Sequence, residues 1–225
     1  MAGSLSGGNI AAVTSTVITP PTGGGSFARG VRSLSNSIGV WAEYYSAIAA
    51  FTPTTKGASW SLAMQAVTPG ANYAPLTFVC AGGTNISDDA YIFGIGNGDP
   101  AHLILRKGSI AGGLPDVEPA TPLQPLNQGV LRRSVEAFSP GQWLHLRLMA
   151  ARNANGDTVL SVARNVGAVG SAIWEPIPGM DPFVDDAAGI ATGTPSYPSG
   201  FVGRGAYFAQ TGRVAVFDFE TGIAQ

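Results

Sequence analysis

Leu144, Leu146 and Leu148 alternate with Trp143, His145 and Arg147 along one short run. The apolar run Thr158-Val159-Leu160-Ser161-Val162-Ala163 follows on the far side of Asn155-Gly156-Asp157. A period of two puts the leucines on one face of a strand and the polar and aromatic residues on the other. Asn-Gly between two such runs is among the strongest hairpin signals, because the tight turn needs backbone conformations that Asn and Gly adopt at low cost. The same punctuation recurs throughout. Gly 31 and Pro 16 together make about a fifth of the 225 residues, well above the usual share. Such a chain is committed to short strands joined by turns.

The other segments read as follows. Asn9 to Thr19 is β-branched and uncharged, and reads as one extended strand stopped by Pro20-Pro21. Gly23-Gly24-Gly25 continues a linker to Gly30, so residues 1–30 are expected to form an extended N-terminal arm. Residues 31–225 are then one sandwich domain. Ile38 to Phe51 carries both periods: Trp41, Tyr44, Tyr45 and Ile48 have helical spacing, whereas the aromatic content and Thr52-Pro53-Thr54-Thr55 favour a strand. Trp60, Leu62, Met64 and Ala66 alternate cleanly, and Leu76 to Cys80 is the next apolar strand. Tyr91–Ile95 and His102–Arg106 flank Gly96-Asn97-Gly98-Asp99-Pro100 as a second hairpin. Pro115, Pro119, Pro122 and Pro125 forbid regular structure over 111–129, which reads as a long loop. Arg213 to Glu220 gives a terminal strand. About eight to ten strands without a long helix imply an all-β sandwich.

Composition excludes several functions. Charged residues are 12% of the chain and net charge is −2, so no basic excess awaits a phosphate backbone and no nucleic-acid partner is expected. No apolar run is long enough to span a bilayer, so no membrane partner is expected either. The N-terminus lacks a basic start followed by an apolar run, which leads us to expect synthesis in a cytosol without a secretory leader. Cys80 is the one cysteine and reads as a buried thiol. The hydrophobic share of 45% in so uncharged a chain leaves a rather apolar surface, and that surplus points to a permanent partner.

The chemical signals are sparse. Asp218 and Glu220 share a strand face but read as a solvated strand end, and no Gly-x-Ser-x-Gly elbow occurs, so no enzyme is expected. Gly94-Ile95-Gly96-Asn97-Gly98 lacks the Lys-Ser/Thr and helix of a phosphate loop and reads as a turn. Asp88-Asp89 and Asp185-Asp186 are loop carboxylate pairs, and Asp181, Asp185 and Asp186 form the denser set, the first choice for a Ca²⁺ site. No other cofactor is expected. His145 reads as a half-exposed sheet residue and His102 as an exposed strand start. Trp174 lies in a loop before Pro176 and Pro178, and Tyr197, Phe201, Tyr207 and Phe208 follow in a Gly/Pro-rich stretch. Trp174, Tyr197 and Tyr207 are the candidate ligand-binding residues, since sugar sites stack aromatic faces on pyranose rings.

From the hairpin at 91–106 onward, Phe138-Ser139-Pro140-Gly141-Gln142-Trp143-Leu144-His145-Leu146, the Asn155-Gly156-Asp157 turn and the terminal Val216-Phe217-Asp218 resemble the concanavalin A-like or laminin-G-like jelly roll. The likeness runs over residues 91–220. It implies a jelly-roll β-sandwich, and such folds host lectins, glycanases, receptor modules and virion proteins alike. The low charge, the Gly/Ala/Thr/Ser surface and the uncharged arm also resemble tailed-phage virion proteins. That second likeness implies a structural virion component made in a host cytoplasm: a capsid decoration or cement, a spike or a fibre module. Its partners would be other copies of itself and a major capsid protein. The rival expectation is a carbohydrate-binding, lectin-like module on a phage appendage.

Overall fold

The computed structural model describes fifteen strands and, with side chains, residues 91–95, 101–108, 129–138, 142–168 and 170–186. The strands form two sheets. From edge to edge the first holds β1 (Gly3–Gly7), β4 (Gly39–Tyr44), β14 (Val202–Phe208), β6 (Leu76–Ala81), β7 (Asp89–Ile95), β8 (Ala101–Ser109) and β9 (Val130–Phe138). The second holds β12 (Trp174–Pro176), β11 (Thr158–Asn165), β10 (Leu144–Arg152), β5 (Ala58–Val67), β15 (Val214–Ala224), β3 (Arg29–Ser33) and β2 (Ile10–Ala12). A last strand, β13 (Phe183–Asp185), pairs with β11 off that path. Every described pairing is antiparallel. The architecture is the all-β sandwich expected from the turn spacing.

The leading hairpin forms in the expected register, with Leu148 opposite Val162 and Arg152 opposite Thr158. Its turn is held by Asn153, whose Oδ1 accepts the backbone N–H groups of Asn155 (2.9 Å) and Asp157 (3.0 Å). Gly156 takes a φ of 88°, a left-handed conformation that glycine adopts without penalty. The second hairpin pairs Tyr91 with Lys107 and Ile95 with Leu103.

The core lies between the sheets. Leu144, Leu146, Leu148, Ala150, Leu160 and Val162 supply one wall, and Phe93, Leu103 and Leu105 are buried in β7 and β8. Ile92 and Ile104, on the other face of those strands, are also fully buried. Strands covered on both faces read as continuous apolar runs instead of alternating ones, which is the pattern of Tyr91–Ile95. Each large apolar side chain so buried contributes about 1.5–3 kcal/mol.

An ion pair is sealed into this core. Lys107 is 1% exposed, and its Nζ donates to Asp185 Oδ2 at 2.7 Å. The Tyr91 hydroxyl donates to the same oxygen at 2.6 Å. Lys107 and Tyr91 belong to the first sheet, and Asp185 reaches them from β13 of the second. The contact therefore clamps the two layers. Gly129 shapes the backbone beside it: its carbonyl accepts the Lys107 N–H at 2.9 Å, its φ is 72°, and a Cβ there would lie 2.0 Å from the Lys107 carbonyl oxygen. Glu136 and Arg164 make a second, half-exposed ion pair between β9 and β11. Exposed pairs of this kind add about 0–1 kcal/mol.

Several expectations need correcting. Strands outnumber the expected eight to ten. Ile38–Phe51 contributes a strand, β4. Val130–Phe138 is the strand β9, although Arg132, Arg133 and Glu136 hide its period; it is an edge strand with three successive exposed residues. The stretch containing Tyr207 and Phe208 is β14, an interior strand of the first sheet. Within residues 1–30, β1 and β2 are extended and pair with β4 and β3. The proline-rich loop up to residue 128, Asp88 and Tyr197 lie outside the described residues. No helix among the described residues is long and apolar enough to cross a membrane.

Candidate functional site: a tryptophan–arginine pocket on the outer face

The leucines of β10 point into the sandwich, so His145, Arg147 and Met149 point away from it. Opposed residues of antiparallel neighbours share a face. The register therefore extends this outer face across β11 and β12, with Met149 opposite Ser161, Arg147 opposite Ala163, Ala163 opposite Pro176, and Asn165 opposite Trp174. Ala163 is the small residue between the two outer strands. Its single methyl leaves room for the Trp174 indole to lean over β10.

Trp174 packs on two residues of that strand. The Arg147 guanidinium carbon lies 4.4 Å from the indole centroid. The His145 ring meets the indole edge-on, with centroids 4.8 Å apart and planes at 65°. A cation over a tryptophan face is worth about 0.5–1 kcal/mol when exposed and about 2 when desolvated. The expectation of a half-exposed His145 is thereby corrected. Trp174 and the surrounding strands leave it 7% exposed.

Asn165 holds the turn that presents Trp174. Its Oδ1 accepts the N–H groups of Gly167 and Ile173, both at 2.8 Å. With the carbonyl oxygen so engaged, its amide nitrogen is the donor, to the Ala168 carbonyl at 3.1 Å and to His145 Nδ1 at 3.0 Å. His145 Nδ1 must then be an acceptor, which places the ring proton on Nε2. Burial, and secondarily the positive charge of Arg147, lower the His145 pKa to about 4. Burial also lowers that of Arg147. At neutral pH the face thus carries a neutral imidazole beside a cation.

An open pocket of about 280 Å³ lies against this arrangement. Arg147, Met149, Ser161, Ala163, Trp174 and Pro176 line it from the strands, with Asp181 and Pro182 from the segment that leads into β13. Small-molecule sites run from about 300 to 1,000 Å³, so its size suits one ring-sized group. It combines an indole, a thioether, a hydroxyl and a guanidinium. This set binds through stacking, hydrogen bonding and charge.

The residues expected to form sites are dispersed. Trp174 lies at the pocket, on an edge strand instead of in a loop, because Asn165 and Trp174 close a paired register. Tyr207 belongs to β14 of the other sheet. Asp181, Asp185 and Asp186 do not gather: Asp185 is buried on Lys107 and Tyr91, whereas Asp181 and Asp186 are exposed. Among the described residues no three His, Cys, Asp or Glu side chains form a metal-holding group. A carboxylate oxygen already facing an ammonium is a poor cation ligand. His102, expected to be exposed, is half-buried with Nδ1 2.8 Å from the Ser134 carbonyl. Asp218 and Glu220 fall where β15 shifts register against β5. Arg147, Ser161 and Asn165 are site residues that sequence reasoning misses. A usable signal is present in the pair His145 and Arg147, two polar residues in step on the solvent side of a strand.

No family model and no curated protein matches the chain. Solved structures do. An alginate lyase from Aplysia kurodai superposes with a TM-score of 0.52 at 10% identity, covering 95% of this chain and 87% of the lyase. A protein of unknown function from Shewanella oneidensis MR-1 superposes with a TM-score of 0.50 at 14% identity, covering 98% and 78%. A carbohydrate-binding module from Bacillus subtilis aligns at 0.46 and 8% identity, covering 96% of each chain. At these identities the first two likenesses speak to the fold alone: this chain is similar to them as an all-β sandwich.

Proposed function

We propose that this protein is a carbohydrate-binding β-sandwich module and that a sugar residue docks in the outer-face pocket. The observation that carries the reading is Trp174, held by Asn165 and backed by His145 and Arg147, lining an open pocket with the Ser161 hydroxyl. Aromatic surface with a few fixed polar groups is what sugar recognition requires. The alginate lyase neighbour offers a shared fold and no activity. Binding without turnover is the role we assign. The test is a glycan array read with the wild type and with Trp174→Ala. Binding that disappears in the variant, with the glycan recovered unchanged, supports the module. Absence of binding to any glycan sinks it.

A second reading is an assembly role. Val135 is 74% exposed and Ile173 60%, values high for large apolar residues in a chain that is 12% charged. Apolar surface of this kind marks contacts with other proteins. A capsid decoration, spike or fibre module contacting its own copies or a capsid protein would bury it. Under this reading purified protein self-associates or binds particles, and Val135→Asp with Ile173→Asp abolishes the association. A monomer that binds no particle removes the reading.

A further inference from the structure

We infer that the sugar recognised at the outer-face pocket carries a carboxylate, which Arg147 grips. The inference rests on the carbohydrate reading above and deepens it. Arg147 is a half-buried cation with no acidic partner among the described residues. Its Nε is buried without a hydrogen-bond partner. Asp181 and Glu175 line the same pocket, yet neither makes an ion pair with it. Arg152 and Arg164 also bury an Nε without a partner, but neither lines the pocket, and Arg164 pairs its Nη1 with Glu136; Lys107 is held by Asp185, and Arg132 by the Asp181 and Pro182 carbonyls.

Leaving the Arg147 Nε in that condition is costly, because a desolvated donor without a partner loses its water bonds and gains nothing. The Trp174 face offsets part of the cost and holds the guanidinium plane in place, but π-density does not satisfy N–H donors. A planar fork of donors, pre-oriented by an aromatic ring and opening on a pocket, matches a carboxylate bidentately. His145 reinforces the demand. It is neutral near pH 7, since its pKa is lowered to about 4, so it supplies no charge of its own and leaves the attraction of an anion to Arg147. Among the described residues that line the pocket the positive charge is then Arg147, beside an indole that stacks the ring bearing the acid.

The experiment compares matched ligands on the full chain by titration calorimetry. Oligogalacturonate, its fully methyl-esterified form, a sialylated oligosaccharide, a sulfated galactan oligosaccharide and a neutral galactan oligosaccharide are measured against wild type, Arg147→Met, Arg147→Lys and Trp174→Ala. We expect at least one carboxylate-bearing sugar to bind about tenfold or more tighter than the uncharged members, with affinity falling as salt rises. Arg147→Met should erase that preference while keeping weak binding to the uncharged sugar. Arg147→Lys should restore only part of it. Thermal melting confirms that each variant is folded. If uncharged sugars bind as tightly as acids and only Trp174→Ala matters, the carboxylate inference is overturned and the carbohydrate reading survives. Arg147-dependent preference for sulfate over every carboxylate overturns it as well. Failure of all sugars removes the underlying reading, and with it this one.

Discussion

Lys107 and Arg147 are two cations of one sandwich placed in opposite circumstances. Lys107 is sealed between the sheets, and its charge is answered by Asp185 and steadied by Tyr91. Arg147 stands on the outer face, stacked on Trp174 at 4.4 Å, with a buried Nε that finds no acceptor. The first is complete within the fold, so removing it should damage the fold. The second is incomplete, so removing it should cost little stability and much binding. Buried charge alone does not distinguish a structural residue from a functional one; whether the chain itself satisfies the charge does.

The largest break in that comparison is at the clamp. Asp185→Ala leaves Lys107 buried and unanswered, and should lower stability by about 3–5 kcal/mol in urea unfolding. The double change Lys107→Met with Asp185→Leu should recover most of the loss, because neither charge then needs a partner. A single variant of near-wild-type stability would show that the clamp does not hold the layers.

Acid should expose the difference next. Folding lowers the His145 pKa from 6.5 to about 4, so above pH 6.5 both states are neutral and the full stability is present. As pH falls, the unfolded chain takes up the proton first, and stability is lost down to about pH 4. The loss attributable to this group is roughly 3 kcal/mol. His145→Gln should flatten the stability profile between about pH 4 and pH 6.5 by that amount relative to wild type. Parallel profiles would refute the assignment.

Asn165→Ala removes four hydrogen bonds, those to His145 Nδ1 and the Ala168 carbonyl and those from the two turn N–H groups, and should cost about 2 kcal/mol at roughly 0.5 kcal/mol for each, the low end for groups that reach water once freed. It should also release Trp174, visible as a red shift and loss of anisotropy in tryptophan fluorescence. The smallest stability effect is expected at the open cation. Arg147→Met should cost less than about 1 kcal/mol by melting, since only the stacking contribution is lost. A larger drop would mean that Arg147 serves the fold after all.

Much of the sandwich is legible in the order of residues. The hairpin at 144–163 announces itself through a period of two and that at 91–106 through two apolar runs, each around Asn, Gly and Asp, which is local chemistry. β9 and β14 are hidden for local reasons too: charge at Arg132 and Arg133 masks the period of one, and the glycines of Val202–Phe208 imitate a loop in the other. The site is legible only in one residue. Trp174 stands out for its aromatic surface, whereas Tyr207, which looks equally suited to the same rim, sits on a strand that runs inside the other sheet. Asp185 looks like a rim carboxylate because adjacent aspartates look solvated, and nothing nearby in the chain points to Lys107, which is 78 residues away.

Periodicity and turn residues thus determined a two-layer β-sandwich, because each acts over a few neighbouring residues. Beyond the two hairpins, which strands became neighbours was decided by tertiary structure. β10 lies between β5 and β11, and that order brings Trp174 across Ala163 onto Arg147 and carries Asp185 to Lys107. A charge's role depends on what lies opposite it, and the partners opposite Lys107 and the indole beside Arg147 come from distant parts of the chain.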